Sequence, residues 1–251
     1  MIVLGRARGP VIVGHRGGRG DGWPPENTLA AFERAHREGA HAIETDVRLC
    51  ADEVVLFHDP TLARMTEKRD SRAVASVPWA DLAKVGLGSQ RETIPRLVDV
   101  LSWAEQTDSA VNVEVKHDVP DRLALVRAVV RLLGGSRVPL LVSSFDPFVL
   151  AVMRVLAPAV PCALLTDPGQ AYATVLHRVA RPALVFGLHV ERRQADPKLI
   201  AGWKRRGLVV GVWTVNDPEE ARRLAGDGVD VLITDQPGRL VGALRGSSLQ
   251  A

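Results

Sequence analysis

Glu44 and Asp46 stand two residues apart in the run His41-Ala-Ile-Glu-Thr-Asp-Val-Arg-Leu. On a strand that spacing puts both carboxylates on one face. Ile43 and Val47 give the strand apolar surroundings. Two carboxylates side by side repel and are costly to bury unless a cation lies between them. A hard divalent ion with oxygen ligands is the economical choice. The competing reading is an exposed edge strand whose carboxylates are solvated. The run then turns through Ala51-Asp52-Glu53, returns along 53–57, and ends in His58-Asp59. That hairpin delivers an imidazole to the end of the strand that carries the carboxylates.

Further polar residues sit where other apolar runs end. They are His15-Arg16, Glu114-Val-Lys116, Ser143-Ser144-Phe145, His189-Val-Glu191, Trp213-Thr-Val-Asn216 and Thr234-Asp235. Glu114 adds a third carboxylate to Glu44 and Asp46, enough for one Mg²⁺ or Ca²⁺ with waters and a substrate oxygen. Three carboxylates with no cysteine and little imidazole argue against zinc. Arg16 and Lys116 suit phosphate oxygens, the first as a planar fork and the second as a point charge. His15 and His58 form an acid–base pair, each member worth about 10²–10⁴-fold. The sum is metal-assisted phosphoryl transfer. Plainer readings stand beside these. Arg16 is a surface arginine, Lys116 pairs only with Glu114, and Asp59 before Pro60 is a turn residue. His189 and Glu191 are solvated loop residues, Trp213 is core, and Asp235 is a strand-to-turn feature. His36, His41, His117 and His177 read as surface or capping residues.

The elements that must position these groups are legible as apolar runs at 11–14, 42–47, 110–115, 139–143, 162–166, 184–188, 209–213 and 229–233. Continuous apolar runs suit parallel strands covered on both faces. Helices lie between most of them. Asp146-Pro147, Asp167-Pro168, Asp196-Pro197 and Asp217-Pro218 each read as an N-cap before a first-turn proline. Gly39, Gly207 and Gly228 mark helix ends. Eight strands alternating with helices predict one (β/α)8 barrel spanning 1–251, with its site at the carboxyl ends of the strands. The alternative, an open doubly wound sheet, lacks its Gly-rich phosphate loop, because Gly17-Gly18-Arg19-Gly20 is too irregular. The stretch 60–95 reads as a functional loop or small insertion over the same end. It contains a short helix candidate at 79–85, and the tail is expected to fray beyond Leu244.

The 251 residues are 46% hydrophobic and 24% charged, which suits a globular chain with a sizeable core. A formal net charge of +3 is too mild to argue for nucleic acid and is compatible with anionic substrates. Cys50 and Cys162 read as buried free thiols. Residues 1–10 have no signal-peptide character, and no apolar run approaches the length a bilayer needs, so stable membrane insertion is not expected and a cytoplasmic location is.

These residues resemble the glycerophosphodiester phosphodiesterase family. The carriers are His15-Arg16-Gly17, Pro25-Glu26-Asn27-Thr28, Glu44-Thr-Asp46, His58-Asp59, Glu114-Val-Lys116, Ile94-Pro95, Ser144-Phe145 and Trp213-Thr-Val-Asn216, over residues 11–237. The resemblance implies a barrel with an insertion after the His-Asp pair and one divalent cation on Glu44, Asp46 and Glu114. It implies catalytic histidines at His15 and His58, phosphate contacts at Arg16 and Lys116, and a site residue at Glu26. Asn27 itself reads as a helix cap. The implied substrate is a small glycerophosphodiester, giving glycerol 3-phosphate and an alcohol. A glycerol hydroxyl would attack phosphorus, and water would open the resulting cyclic phosphate. Two alternatives keep the barrel: phospholipase D-like cleavage of a lysolipid, with Trp23 and Trp79 as an apolar rim, and a barrel that binds phosphoesters without turnover. Departures from the family's pattern are a longer loop from His15 to Glu26, no glycine in Ala51-Asp52-Glu53, which should strain that turn, and Arg96 where threonine is common.

Overall fold

The computed structural model describes residues 9–170 and 173–245. Its strands are β1 (Val11–Gly14), β2 (Ala42–Leu49), β3 (Val54–Leu56), β4 (Ala110–Val115), β5 (Leu140–Ser144), β6 (Cys162–Thr166), β7 (Gly187–Glu191), β8 (Val209–Trp213) and β9 (Val231–Thr234). Apart from β3, each pairs in parallel with its neighbours in chain order, and β1 pairs with both β9 and β2, which closes the barrel. Strand β3 is the return arm of the hairpin and pairs antiparallel with β2. The helices are α1 (Leu29–Arg37), α2 (Trp79–Leu82), α3 (Leu97–Thr107), α4 (Arg122–Leu133), α5 (Pro147–Leu156), α6 (Ala173–Val179), α7 (Pro197–Arg205), α8 (Pro218–Gly226) and α9 (Pro237–Arg245). This is the (β/α)8 barrel that the alternation of runs predicts.

Strand alternation sorts the apolar residues into two shells. Ile12, Ile43, Val113, Leu188 and Val210 face the helices. Val11, Val13, Ala42, Ala110, Val231 and Ile233 face the barrel axis. Capping follows the sequence at three of four positions. The carboxylates of Asp146, Asp196 and Asp217 accept amides of the first turns of α5, α7 and α8. At the fourth, Asp167 accepts the amide of Gly169 at 2.7 Å and closes a turn instead, because the glycine after Pro168 does not continue a helix. Gly39, Gly207 and Gly228 end their helices with φ of +88°, +80° and +86°.

The seventh strand in chain order lies three residues later than the run 184–188 suggests. Leu184 and Val185 both bond back to Arg181, forming a turn on the surface, and the strand begins at Gly187. His189 and Glu191 are therefore buried strand residues, not solvated loop residues. His177 is likewise buried, with Nε2 2.8 Å from the Thr166 hydroxyl. Cys50 and Cys162 are free and buried. The turn at Ala51-Asp52-Glu53 has no positive φ, so the expected strain is absent; Asp52 accepts the Trp79 amide at 2.8 Å instead.

The stretch 60–95 packs Leu62, Val74, Val77, Leu82, Leu87 and Ile94 against Cys50, Val55 and Phe57 of the hairpin, a cluster separate from the main core. Its helix ends at Leu82, and turns carry the chain to Val85. Helix α9 reaches Arg245, and the rest of the tail lies outside the described residues. No helix among the described residues is long and apolar enough to cross a membrane.

Candidate active site

Pairing of β2 with β4 sets Asp46 beside Glu114 and Glu44 beside Asn112. One oxygen from each of Glu44, Asp46 and Glu114 lies within 4.8 Å of the others, and all three residues are buried. Lys116, two residues beyond Glu114 on the same face, donates to Glu114 at 2.8 Å and to Asp46 at 3.3 Å. It pairs with more than its strand neighbour. Arg16 sits at φ +52° and donates its amide to Glu44 Oε2 at 2.9 Å. Its side chain lies against Asp46 at 3.0 Å and donates to Glu26 at 2.9 Å. Gly17 permits this turn: at φ +89° it lies so close to α1 that a Cβ would come within 2.8 Å of Ala31.

Asn27 is not the helix cap. Thr28 caps α1 by accepting the Ala31 amide. Asn27, at φ +58°, turns into the site and donates to Asp46 Oδ2 at 2.9 Å, while its Oδ1 accepts the Thr45 hydroxyl at 2.8 Å. Burial pushes the Asp46 carboxyl up, but Lys116 and Arg16 outweigh it and hold it well below the usual range. Burial, reinforced by Asp46 and Glu114, drives Glu44 the other way, well above its usual value. Glu44 Oε1 has no hydrogen-bond partner among the described residues. Three buried carboxylates with one free oxygen and all-oxygen chemistry fit a hard divalent cation.

Each histidine is held from behind. His15 Nδ1 lies 2.8 Å from Asp235 Oδ1, and Asp235 also accepts Arg19 at 2.8 Å and Asn216 at 3.0 Å. Asp235 is thus an orienting carboxylate as well as a turn residue. His58 Nδ1 lies 2.6 Å from Asp59 Oδ1, and Arg64 ties Asp59 (2.5 Å) to Glu26 (2.6 Å). Burial lowers the His15 pKa, only partly offset by the bond to Asp235. The hairpin arm is fixed by buried Arg48, which donates to the His58 carbonyl at 2.6 and 2.9 Å and to Asp118. With Nδ1 engaged on both rings, Nε2 of each is the atom left for acid–base work.

A pocket of about 130 Å³ is lined by His15, Arg16, Glu44, His58, Glu114 and Lys116, with Asn112, Ser143, Phe145 and Trp213. Trp213 stands edge-on to Phe145 at 5.6 Å and donates to the His189 carbonyl at 3.3 Å, so it is wall rather than core. Glu26 reaches the site through Arg16 and Arg64, and Asp59 through the His58 ring. Ser144 does not reach it: its hydroxyl donates to Val115 at 2.8 Å, and alternation turns Ser143 inward instead. Trp23 and Trp79 are each covered by a guanidinium, Arg34 and Arg96, at 4.2 Å, so neither offers the bare apolar rim a lysolipid chain would need. The expected site set omitted Asp235, Arg19, Arg64, Arg48, Asn27 and Ser143. The sequence marks Asp235 and Ser143 as polar residues at strand ends but gives neither a role in the site. Nothing in the periodicity marks Arg64.

The model of the glycerophosphoryl diester phosphodiesterase family matches residues 15–239. A glycerophosphodiester phosphodiesterase of Caldanaerobacter subterraneus subsp. tengcongensis is 31% identical over 246 residues, covering 94% of this chain and 98% of that protein. One from Bacillus altitudinis is 29% identical, covering 92% and 96%. An Oleispira antarctica phosphodiesterase, solved with its product sn-glycerol-3-phosphate, superposes with a TM-score of 0.83 at 28% identity, covering 94% and 97%. The glycerophosphodiester phosphodiesterase of Thermotoga maritima gives 0.76 at 26% identity, covering 93% and 97%.

Proposed function

The chain belongs to the glycerophosphoryl diester phosphodiesterase family, and from that premise we propose how its own residues carry out the reaction. The reaction is hydrolysis of a glycerophosphodiester to glycerol 3-phosphate and an alcohol. The family and the buried acidic cluster together point to a divalent metal. Glu44, Asp46 and Glu114 would hold it, and it would supply charge to a phosphoryl oxygen. The cation is Mg²⁺ or Ca²⁺. Arg16 and Lys116 contact the phosphate. Both are held by carboxylates on one side and lie on the pocket wall on the other.

His15 is the base. Burial favours its neutral form, Asp235 fixes its ring, and Nε2 takes the proton of the attacking glycerol hydroxyl. His58, fixed by Asp59, gives a proton to the departing alcohol from Nε2. Phosphorus then carries a cyclic glycerol phosphate. In the second step the roles reverse: His58 takes a proton from water and His15 returns one to the glycerol oxygen. The observation that carries this reading is the pair of His–Asp contacts whose imidazoles line one pocket together with Glu44 and Glu114. We take residues 1–251 as one domain with an insertion at 60–95 that carries part of the rim. The two free cysteines support a cytoplasmic location.

The test is a panel of glycerophosphodiesters and lysophosphatidylcholine assayed with Mg²⁺ and Ca²⁺ in turn. Release of glycerol 3-phosphate should be lost in His15→Ala and His58→Ala while circular dichroism is unchanged. Full activity in both variants would overturn the roles assigned. Metal binding without turnover across the panel would leave only a phosphoester-binding barrel.

A further inference from the structure

The larger cavity in this barrel is not the one with the histidines. It measures about 800 Å³ and is walled by residues that begin strands, among them Ala42, Ala110, Leu140, Cys162 and Val231. It therefore lies at the amino-terminal face, opposite the active site. Its upper end is polar. His189 and Asn112 line it, and Asn112 also lines the active-site pocket. Asn112 thus stands at the boundary between the two spaces.

Barrels of this class are normally filled by layers of bulky branched side chains. Here Ala42 and Ala110 face the axis, and Ala163 is level with the inward-facing Ser143. Gly211 has no side chain at all. A Cβ there would come within 2.4 Å of the His189 ring, so the imidazole lies across the glycine. Among these small residues the chain directs five polar atoms that find no hydrogen-bond partner among the described residues. They are Glu44 Oε1, Asn112 Oδ1, Ser143 Oγ, and both ring nitrogens of His189. All four side chains are at least nine-tenths buried. Native folds leave few such atoms, because each costs about 1–3 kcal/mol when truly unpaired. Glu44 Oε1 has a use in the metal site. The other four do not, and groups of this kind are what buried water bonds to, about three contacts per molecule.

The geometry points to a file of water along the barrel axis, from the amino-terminal cavity past His189 and Asn112 to Ser143, that delivers the hydrolytic water to the phosphorus. The proposal rests on the two-step hydrolysis above. It answers a spatial problem in that scheme. The active-site pocket holds about 130 Å³, room for roughly four waters at ~30 Å³ each. A bound glycerophosphoryl group displaces nearly all of them, and the departing alcohol occupies the open mouth. Water arriving from below fills the place beside His58 that the alcohol vacates, opposite the glycerol oxygen that will leave, while the alcohol is still in the mouth. Its oxygen bonds to phosphorus, its proton passes to His58, the ring P–O bond to glycerol breaks, and the glycerol oxygen takes its proton from His15.

Two variants of the full chain test this, loaded with whichever of Mg²⁺ and Ca²⁺ supports turnover. His189→Leu removes two polar atoms. Ala110→Leu narrows the lower end without touching any polar group. Turnover of glycerophosphocholine is followed by ³¹P NMR, which resolves cyclic glycerol phosphate from glycerol 3-phosphate, and choline release is followed in parallel. In both variants we expect choline release within about threefold of wild type, at least tenfold more cyclic phosphate, and at least tenfold slower opening of cyclic glycerol phosphate supplied directly. His189→Gln, which keeps a donor and an acceptor, should restore the wild-type pattern; restoration would not follow if the ring served only as packing. Wild-type rates of glycerol 3-phosphate formation from both substrates in folded His189→Leu and Ala110→Leu would overturn the proposal. A wild-type chain that forms no glycerol 3-phosphate from any diester would instead overturn the two-step reading, and this proposal with it.

Discussion

Glu44→Gln should change the sign of its effect on stability when the metal is removed. Glu44, Asp46 and Glu114 present oxygens within 4.8 Å of one another. At an effective dielectric of about 20, two unit charges at that distance repel by about 3.5 kcal/mol. The Arg16 amide and the Lys116 ammonium return part of this, so we expect the metal-free chain to gain about 2 kcal/mol from Glu44→Gln. For a domain of this size that is a Tm rise of about 4–8 °C. The pH dependence follows from the same cause. Burial and its two carboxylate neighbours raise the Glu44 pKa above its usual 4.5. A carboxyl whose folded pKa is raised adds stability in full below the unfolded value and loses it as pH rises through the folded one. The advantage of the glutamine variant should therefore be absent near pH 4 and grow above it. With metal at about 100 times Kd the wild type gains about 2.7 kcal/mol, and the variant, one ligand short, gains far less. The assay is thermal unfolding at pH 4 to 8, with chelator and then with Mg²⁺ or Ca²⁺. A glutamine variant less stable than wild type in chelator at pH 7 would refute the reasoning, as would equal gains from the metal.

Asp235→Asn should lower kcat by about 10²–10⁴-fold with little change in KM, because it frees the His15 ring without touching substrate; a drop confined to KM would contradict the orienting role. The acid limb of the kcat/KM profile should fall below pH 6.5, since burial lowers the His15 pKa. Activity that requires neutral His15 then persists as pH falls past the ordinary imidazole value, and a limb at or above 6.5 would count against His15 as base. Arg48→Met should cost about 2–4 kcal/mol in urea unfolding, because it leaves the His58 carbonyl and Asp118 without their donor. It should also slow turnover by loosening His58, and a stable variant with wild-type kcat would show that the clamp is not needed.

Where physics is local, the chain announces its structure. Alternating apolar runs and Asp-Pro caps are short-range signals, and the barrel and three of the four caps follow from them. The i,i+2 spacing of Glu44 with Asp46 and of Glu114 with Lys116 fixes one face, so the acidic cluster was legible. The misplaced strand at 184–188 failed because an apolar run does not say which of its residues pair; Leu184 and Phe186 are exposed and Gly187 starts the strand. The partners of the histidines were mostly illegible. Asp235 is 220 residues from His15, and Arg64 reaches Glu26 across 38 residues from a loop with no period to read. Asn27 misled because a cap and a site ligand use the same side-chain chemistry, and only its left-handed backbone separates it from Thr28.

The loop at 60–95 packs with the hairpin into a cluster separate from the main core, while the histidine just before it is pinned from the barrel side by Arg48. The loop nevertheless reaches back into the site through Arg64, which donates to Asp59 and Glu26. A loop transplanted from a relative would therefore have to keep an arginine in the place of Arg64 for Asp59 to go on holding the His58 ring.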